Sequence, residues 1–167
     1  MKNKNSKKNI PEGFGKGVND YFNHFITVAD AKSGAILAAN FILQGGLVNI
    51  KFFNETAITS LYLLTSICCI ISIIYCLTVL YPRLPRAQKG LIFWENVKCY
   101  KSLSEYIKDV SKLDTDEIEK EYAKQNWYVS KVLSKKNKHV RIAITFFAIS
   151  LILSSSLFLM SIYNSLI

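Results

Sequence analysis

Two groups of cationic side chains have the residue types that a phosphate-binding site requires. Each group adjoins a long apolar run: Arg83, Arg86 and Lys89 in the first, and Lys135, Lys136, Lys138 and Arg141 in the second. Arginine forms paired hydrogen bonds with phosphate oxygens, so an anion site built from both groups is one interpretation. Attraction of the same charges to anionic lipid headgroups is the other.

Aromatic side chains in the same part of the sequence have two interpretations as well. They are Phe93, Trp94, Tyr106, Trp127 and Tyr128. Flat rings of this kind can stack on a nucleotide base. The same residue types are equally typical of a protein core or of the belt at a membrane–water interface.

Three polar residues lie at the entry of the first predicted span or inside it: Asp30, Lys32 and Asn40. Ionisable groups at membrane depth are costly, which indicates a functional role. A position at the interface is the alternative for Asp30 and Lys32, because the long lysine side chain can extend to the headgroups. For Asn40 we expect a hydrogen bond to another helix.

No combination of residues predicts catalysis or metal binding. His24 and His139 are far apart, the four cysteines lack paired spacing, and the sequence contains no glycine-rich phosphate loop. Glu117, Glu119 and Glu121 are predicted to form a solvated helix face. We therefore expect no enzyme, no metal and no cofactor.

The elements that position these residues are predicted to be membrane-spanning helices. The chain has 167 residues and is 50% apolar, yet nearly all its charge lies in residues 1–23 and 82–141. Such segregation favours a membrane protein. Residues 57–81 and 142–163 carry no charge and are long enough to span, while residues 14–50 combine an amphipathic lead-in with a shorter span. Residues 1–13 are predicted to be a basic, disordered N-terminus.

The segment between the second and third spans, residues 82–141, is predicted to be helical. Ser102 with Glu105, and Asp114 with Glu117, have the spacing of capping boxes. Beyond Asp114 the chain has neither glycine nor proline, which predicts one helix running through the third span. A heptad-like seam follows its first half: Ile118, Tyr122, Gln125, Val129 and Val132. The predicted fold class is thus all-α integral membrane, with about three transmembrane helices.

Loop charges predict the orientation of these spans. The N-terminal block has five lysines, and residues 82–141 carry 14 lysines and arginines against eight acidic residues. The loop between the first two spans has one lysine. The positive-inside rule therefore places the N-terminus and residues 82–141 in the cytoplasm, and the C-terminus outside.

Several short motifs, in this order, resemble the small transmembrane effectors of Pycsar antiphage defence. They are Ala29-Asp30-Ala31-Lys32 with Asn40, Pro82-Arg83, Leu91-Ile92-Phe93-Trp94 with Ser104-Glu105-Tyr106, and residues 136–141. The resemblance extends roughly over residues 21–160. Ser33 replaces an expected alanine, and Asn137 replaces an expected tyrosine beside the basic cluster, which weakens a stacking role at that position.

The resemblance implies a cell-membrane effector activated by a cyclic pyrimidine nucleotide, cUMP or cCMP, which a partner cyclase makes during phage infection. The effector then impairs the membrane, and infection is abortive. We expect the lipid bilayer and further copies of the chain as partners, but not nucleic acid. The residues expected to bind the nucleotide are Arg83, Arg86, Phe93, Trp94, Tyr106, Lys136, Lys138 and Arg141. A constitutive anchor that recruits a soluble protein, or a small oligomeric channel subunit, are the alternatives.

Overall fold

The computed structural model describes residues 11–48, 56–81 and 90–166, and in these ranges the chain forms helices and no strand. The helices are α1 (Phe14–Val48), α2 (Thr56–Leu80), α3 (Trp94–Val97), α4 (Leu103–Val110) and α5 (Thr115–Leu166). Three of them, α1, α2 and α5, are long and apolar enough to cross a membrane. The all-α membrane fold predicted from the sequence is confirmed.

Both predicted capping boxes are present at the helix starts. The Glu105 N–H donates to Ser102 Oγ (3.2 Å), and the Glu105 carboxylate accepts from the Lys101 N–H (3.1 Å). At α5 the bonds are reciprocal: Glu117 N–H to Asp114 Oδ1 is 2.7 Å, and Asp114 N–H to Glu117 Oε2 is 3.2 Å. These side chains satisfy backbone donors that have no partner inside the helix.

The chain divides into two compact units. One, the polar unit, comprises Met1–Phe25 and Arg83–Leu133, and the other, the span unit, comprises Ile26–Pro82 and Ser134–Ile167. Helices α1 and α5 each contribute to both units, since neither helix is interrupted. The amphipathic lead-in and the first span accordingly belong to one 35-residue helix, and α5 has 52 residues.

A single carboxylate holds the start of α1 in the polar unit. Glu119 of α5 accepts hydrogen bonds from the backbone N–H groups of Gly13 (2.7 Å) and Gly15 (2.8 Å). Two turns further along α5, Asn126 donates to the Gly15 carbonyl (2.8 Å) and accepts from the side-chain amide of Asn19 (3.1 Å). A negative charge at a helix N-terminus is favourable because unpaired N–H groups and the helix dipole point towards it.

The predicted solvated face of α5 is wrong for Glu119, whose residue is only 3% exposed. The deeply buried positions in this part of α5 are Glu119 and Asn126, whereas Ile118 of the predicted seam is 40% exposed. The predicted seam includes Ile118 and Gln125, each one position before a buried residue. The prediction assumed that apolar residues fill the interface. Here two polar residues fill it, and their partners are backbone groups of Gly13 and Gly15 and the side-chain amide of Asn19.

In the span unit, buried positions recur every seven residues along α2: Ile58, Thr65, Ser72 and Val79. This heptad spacing is typical of left-handed helix packing. The Asn40 side-chain amide donates to Ser72 Oγ (2.9 Å), which donates to the carbonyl of Ala143 (2.9 Å). The interhelical hydrogen bond expected for Asn40 is therefore present, and the chain of bonds connects α1, α2 and α5.

An ion pair also lies inside the span unit. The Lys136 ammonium donates to Asp30 Oδ1. The lysine side chain is 8% exposed and that of Asp30 is 36% exposed. Lys32, by contrast, is exposed. Thr78 Oγ1 lies 3.0 Å from His139 Nδ1 in the same unit.

Replacing Gly15 with alanine should destabilise the polar unit. A Cβ at Gly15 would lie 2.5 Å from Tyr122 Cβ and 2.7 Å from Glu119 Oε2. We expect Gly15→Ala to lower the free energy of unfolding by about 2 kcal/mol, the typical cost of overpacking. Gly17→Ala is the matched control, because nothing lies within 4 Å of a Cβ at that position. Tryptophan fluorescence during thermal unfolding measures the effect, and equal stability of the two variants would contradict it.

The Lys136–Asp30 pair should couple energetically. Lys136→Met removes the cation that compensates a partly buried carboxylate, so we expect a loss of about 2 kcal/mol in unfolding free energy. Adding Asp30→Asn removes the uncompensated charge and should restore part of that loss. A double-mutant cycle on denaturant unfolding measures the coupling. Additive effects would show that the two charges act independently.

Candidate functional site

The polar unit contains a cavity of about 420 Å³ between the residues that precede α4 and one face of α5. Its first wall is formed by Gly90, Leu91, Ile92, Phe93 and Asn96. This wall runs from an irregular stretch into α3, whose first turn begins with hydrogen bonds from the Asn96 and Val97 N–H groups to the Phe93 carbonyl (2.8 and 2.9 Å). The volume is in the range of pockets for small organic ligands, roughly 300–1,000 Å³.

The second wall is one face of α5. It consists of Glu121, Lys124, Gln125 and Tyr128. Their spacing of three, four and seven residues from Glu121 brings all four side chains to the same side of a helix. The Lys124 ammonium donates to Glu121 Oε1 at 2.5 Å, so this wall carries a balanced pair of charges.

Helix α4 supports the first wall. The Tyr106 hydroxyl donates to the Leu91 carbonyl (3.1 Å), and the Tyr106 ring packs edge-on against Tyr100 with centroids 5.1 Å apart. Tyr106, Val110 and Leu113 also line a smaller cavity of about 160 Å³ together with α5 residues. Leu103 and Ile107 of α4 are exposed. Tyr106 therefore positions the backbone beside the larger cavity.

The lining residues combine three kinds of chemistry. The rings of Phe93 and Tyr128 offer flat apolar surfaces on which a base can stack. The side-chain amides of Asn96 and Gln125 each have donor and acceptor atoms, which suit the edge of a nucleobase. Lys124 supplies a cation for a phosphate. No group of three or more metal-ligating side chains occurs within the described ranges.

The described residues that the sequence associates with nucleotide binding belong to two different units. Phe93 lines the cavity, and Tyr106 holds the backbone of its wall. Lys136 belongs to the span unit, where its charge is matched by Asp30. Lys138 and Arg141 also belong to the span unit and are exposed.

Part of the predicted site lies outside what the structure describes. Arg83 and Arg86 fall in the range 82–89, which is outside the described residues, and so does Lys89. Trp94 begins α3, but its side chain is not among those described. Nucleotide contacts by these residues stay predictions. Trp127 is described: it is exposed, with the Lys131 ammonium 3.4 Å from its ring centroid.

Sequence reasoning missed Asn96 and Lys124, and it assigned Gln125 to a helix–helix seam. The available signal was the spacing of Glu121, Lys124, Gln125 and Tyr128. An acid, a base, an amide and an aromatic ring on one helix face are more polar than the buried face of a helix–helix seam. Asn96 gave no such signal, because only the fold of the irregular stretch brings it to α5.

Comparison with known proteins connects this architecture to a family. The family model described as "Pycsar effector protein domain" matches residues 15–162. A curated relative, "Pycsar effector protein SaPycTM" of Staphylococcus aureus, is 35% identical over 147 residues, which is 83% of this chain and 89% of the relative. No solved structure matches the chain. The match extends over both units and all three spans, so the chain belongs to the Pycsar effector family of transmembrane proteins.

Proposed function

We propose that this protein is an antiphage effector of the cell membrane that is activated by a cyclic pyrimidine nucleotide, cUMP or cCMP. A partner cyclase makes the nucleotide during infection, and the activated effector impairs the membrane so that infection is abortive. Membership of the Pycsar effector family supports the defence role and the membrane location. The cavity of the polar unit is the observation that carries the nucleotide assignment.

The chemistry of this cavity suits a cyclic pyrimidine nucleotide. Such a ligand has a flat base with alternating donors and acceptors, and a phosphate with one negative charge. Phe93 and Tyr128 would hold the base between rings, and Asn96 and Gln125 would bond its edge. Lys124 would exchange its contact with Glu121 for the phosphate, which gains a charge-assisted hydrogen bond. The cations predicted from the sequence, Arg83 and Arg86 among them, would add to the field that attracts the anion.

Ligand binding in this cavity would act on a membrane span directly, because one cavity wall belongs to α5. That helix continues without interruption from Thr115 to Leu166, and it includes the third span. A ligand shifts a conformational equilibrium only through different affinities for two arrangements. Drawing residues 90–96 towards α5 would favour one arrangement of the helix, and its span would respond.

We further propose that the N-terminus and residues 82–141 lie in the cytoplasm, with the C-terminus outside. The excess of lysine and arginine in both segments supports this orientation. It also places the cavity on the side of the membrane where a cyclase would release its product. Activated copies are proposed to associate as a homo-oligomer, since three spans are few for a leak path in one copy.

Titration calorimetry on the full-length protein in detergent tests the nucleotide assignment. We expect saturable binding of cUMP or cCMP and no binding of cAMP or cGMP. Gln125→Leu keeps the side-chain volume but removes the amide, so it should weaken binding roughly 10- to 100-fold, the usual cost of an unpaired buried polar group.

Lys120→Leu is the control for that variant, because Lys120 is exposed on the same helix and does not line the cavity. It should bind like the unmodified protein. If none of the four nucleotides binds a folded sample, the nucleotide assignment is wrong. The recruiting-anchor alternative would then be favoured, with the exposed Leu103 and Ile107 of α4 as its first contact surface.

Cys99 provides a test of orientation. It is exposed in the polar unit, whereas Cys68, Cys69 and Cys76 are buried. In intact spheroplasts a membrane-impermeant maleimide should leave Cys99 unlabelled, and labelling should appear once the membrane is permeabilised. Cys99→Ser should abolish the signal. Labelling in intact, unpermeabilised spheroplasts would place the polar unit outside and reverse the proposed orientation.

A further inference from the structure

The buried residues in the middle of the span unit are small or polar. They are Ser33 and Asn40 of α1, Thr65, Cys68, Cys69, Ser72 and Cys76 of α2, and Ala143, Ser150 and Ser154 of α5. Large apolar side chains of these helices, among them Ile70, Ile74 and Ile152, are exposed instead. This buried set is named the polar face of the span unit.

Two apolar clusters close the ends of the polar face. One consists of Ala29, Val79 and Val140, and the other of Leu47, Ile58 and Leu157, so each of the three helices contributes one residue to each cluster. At a rise of 1.5 Å per residue, the clusters are separated by about 27 Å along α1, about 32 Å along α2 and about 26 Å along α5. These lengths are close to the hydrocarbon thickness of a bilayer, about 30 Å.

Packing alone accounts for part of the polar face. Small residues let helices approach closely, and the bonds from Asn40 to Ser72 and from Ser72 to Ala143 join the helices. Three buried polar atoms of the span unit have no hydrogen-bond partner among the described residues: Asn40 Oδ1, Ser33 Oγ and Ser66 Oγ. The first two belong to the polar face, where Asn40 and Ser33 are both 0% exposed.

Such atoms are costly in a dry interior, and they are what a buried water molecule needs as partners. Asn40 and Ser33 lie seven residues apart on α1, or about 10 Å along the helix, on the same face. Both are oriented inwards, away from lipid. The interior is therefore polar, lacks hydrogen-bond partners at two depths, and is closed from both sides by apolar side chains.

We infer that the polar face lines the path by which water and small monovalent ions cross the membrane when the effector is active. This inference rests on the proposed membrane-impairing function and identifies the surface that performs it. In the structure the two apolar clusters close the path, since narrow apolar constrictions exclude water. Movement of α5 separates Val140 and Leu157 from their partners and opens the polar face of each copy. The opened faces of associated copies then line one path, and water reaches Ser72, Asn40 and Ser33.

Two native thiols can report whether water reaches this surface. Cys69 and Cys76 are 0% exposed and flank Ser72 by three and four residues, on the polar face. The protein would carry Cys68→Ala and Cys99→Ser and be reconstituted in liposomes. A charged methanethiosulfonate reagent is added with and without cUMP or cCMP, while potassium efflux is recorded.

We expect both thiols to react only in the presence of the activating nucleotide, and the reaction to reduce potassium efflux at least several-fold. The lipid-facing control is Ile70→Cys in a background without native thiols, since Ile70 is 52% exposed in the same helix. That thiol should stay unlabelled under both conditions. Nucleotide-dependent efflux with Cys69 and Cys76 still unreactive would overturn the inference.

A second variant tests the path without relying on nucleotide. Leu157→Ser weakens one apolar cluster and so destabilises the closed arrangement of the helices. Burial of a leucine side chain changes such an equilibrium about tenfold or more, so basal potassium efflux should rise roughly tenfold. Ile152→Ser, at a 67% exposed position of the same helix, should not raise it. Unfolding followed by tryptophan fluorescence confirms that both variants are folded. A folded Leu157→Ser protein with no added efflux counts against the inference.

The two proposals fail in different ways. If cUMP and cCMP neither bind nor cause efflux, but Leu157→Ser conducts and exposes Cys76, the path is supported and the proposed nucleotide activation is wrong. If nucleotide causes efflux of calcein as freely as potassium, the leak is too wide for this surface, and the inference is overturned while nucleotide activation stands.

Discussion

A chain that crosses hydrocarbon must satisfy its polar groups internally, and this constraint governs the span unit. Helices α1, α2 and α5 satisfy their backbone groups within themselves, and many of their large apolar side chains are exposed. Polar side chains such as Asn40 and Ser72 then have to face inwards, where they bond to each other and to the Ala143 carbonyl. The result is an interior more polar than the surface, bounded at each end by three apolar residues.

The polar unit solves a related problem with a single carboxylate. The start of α1 presents unpaired N–H groups, and Glu119 accepts from Gly13 and Gly15. At Gly15 the lack of a side chain allows the close approach of Glu119. Gly13 has a φ of 77°, a conformation that glycine adopts without strain. With α1 held to one face of α5 in this way, a neighbouring face of α5 remains available to form the cavity with residues 90–96.

These two arrangements share helix α5, which is the physical basis of the proposed activation. A nucleotide held by Gln125 and Tyr128 would contact the same uninterrupted helix that carries Ser150 and Ser154 in the span unit. Lys136, which pairs with Asp30 of α1, lies on that helix between these two sets of residues. Signal reception and membrane leak would then be two consequences of one helix changing its packing.

The sequence by itself determined the helical class, the three spans and the two capping boxes, because each depends on short-range periodicity, charge and side-chain type. It also indicated the Pycsar family and the interhelical bond of Asn40. It did not predict the partner of Lys136, the burial of Glu119 or the place of Asn96 in the cavity. Those features pair residues up to 106 positions apart, so no local pattern encodes them. Only tertiary structure brings such groups together, since a buried polar atom is stable only where the fold supplies its partner.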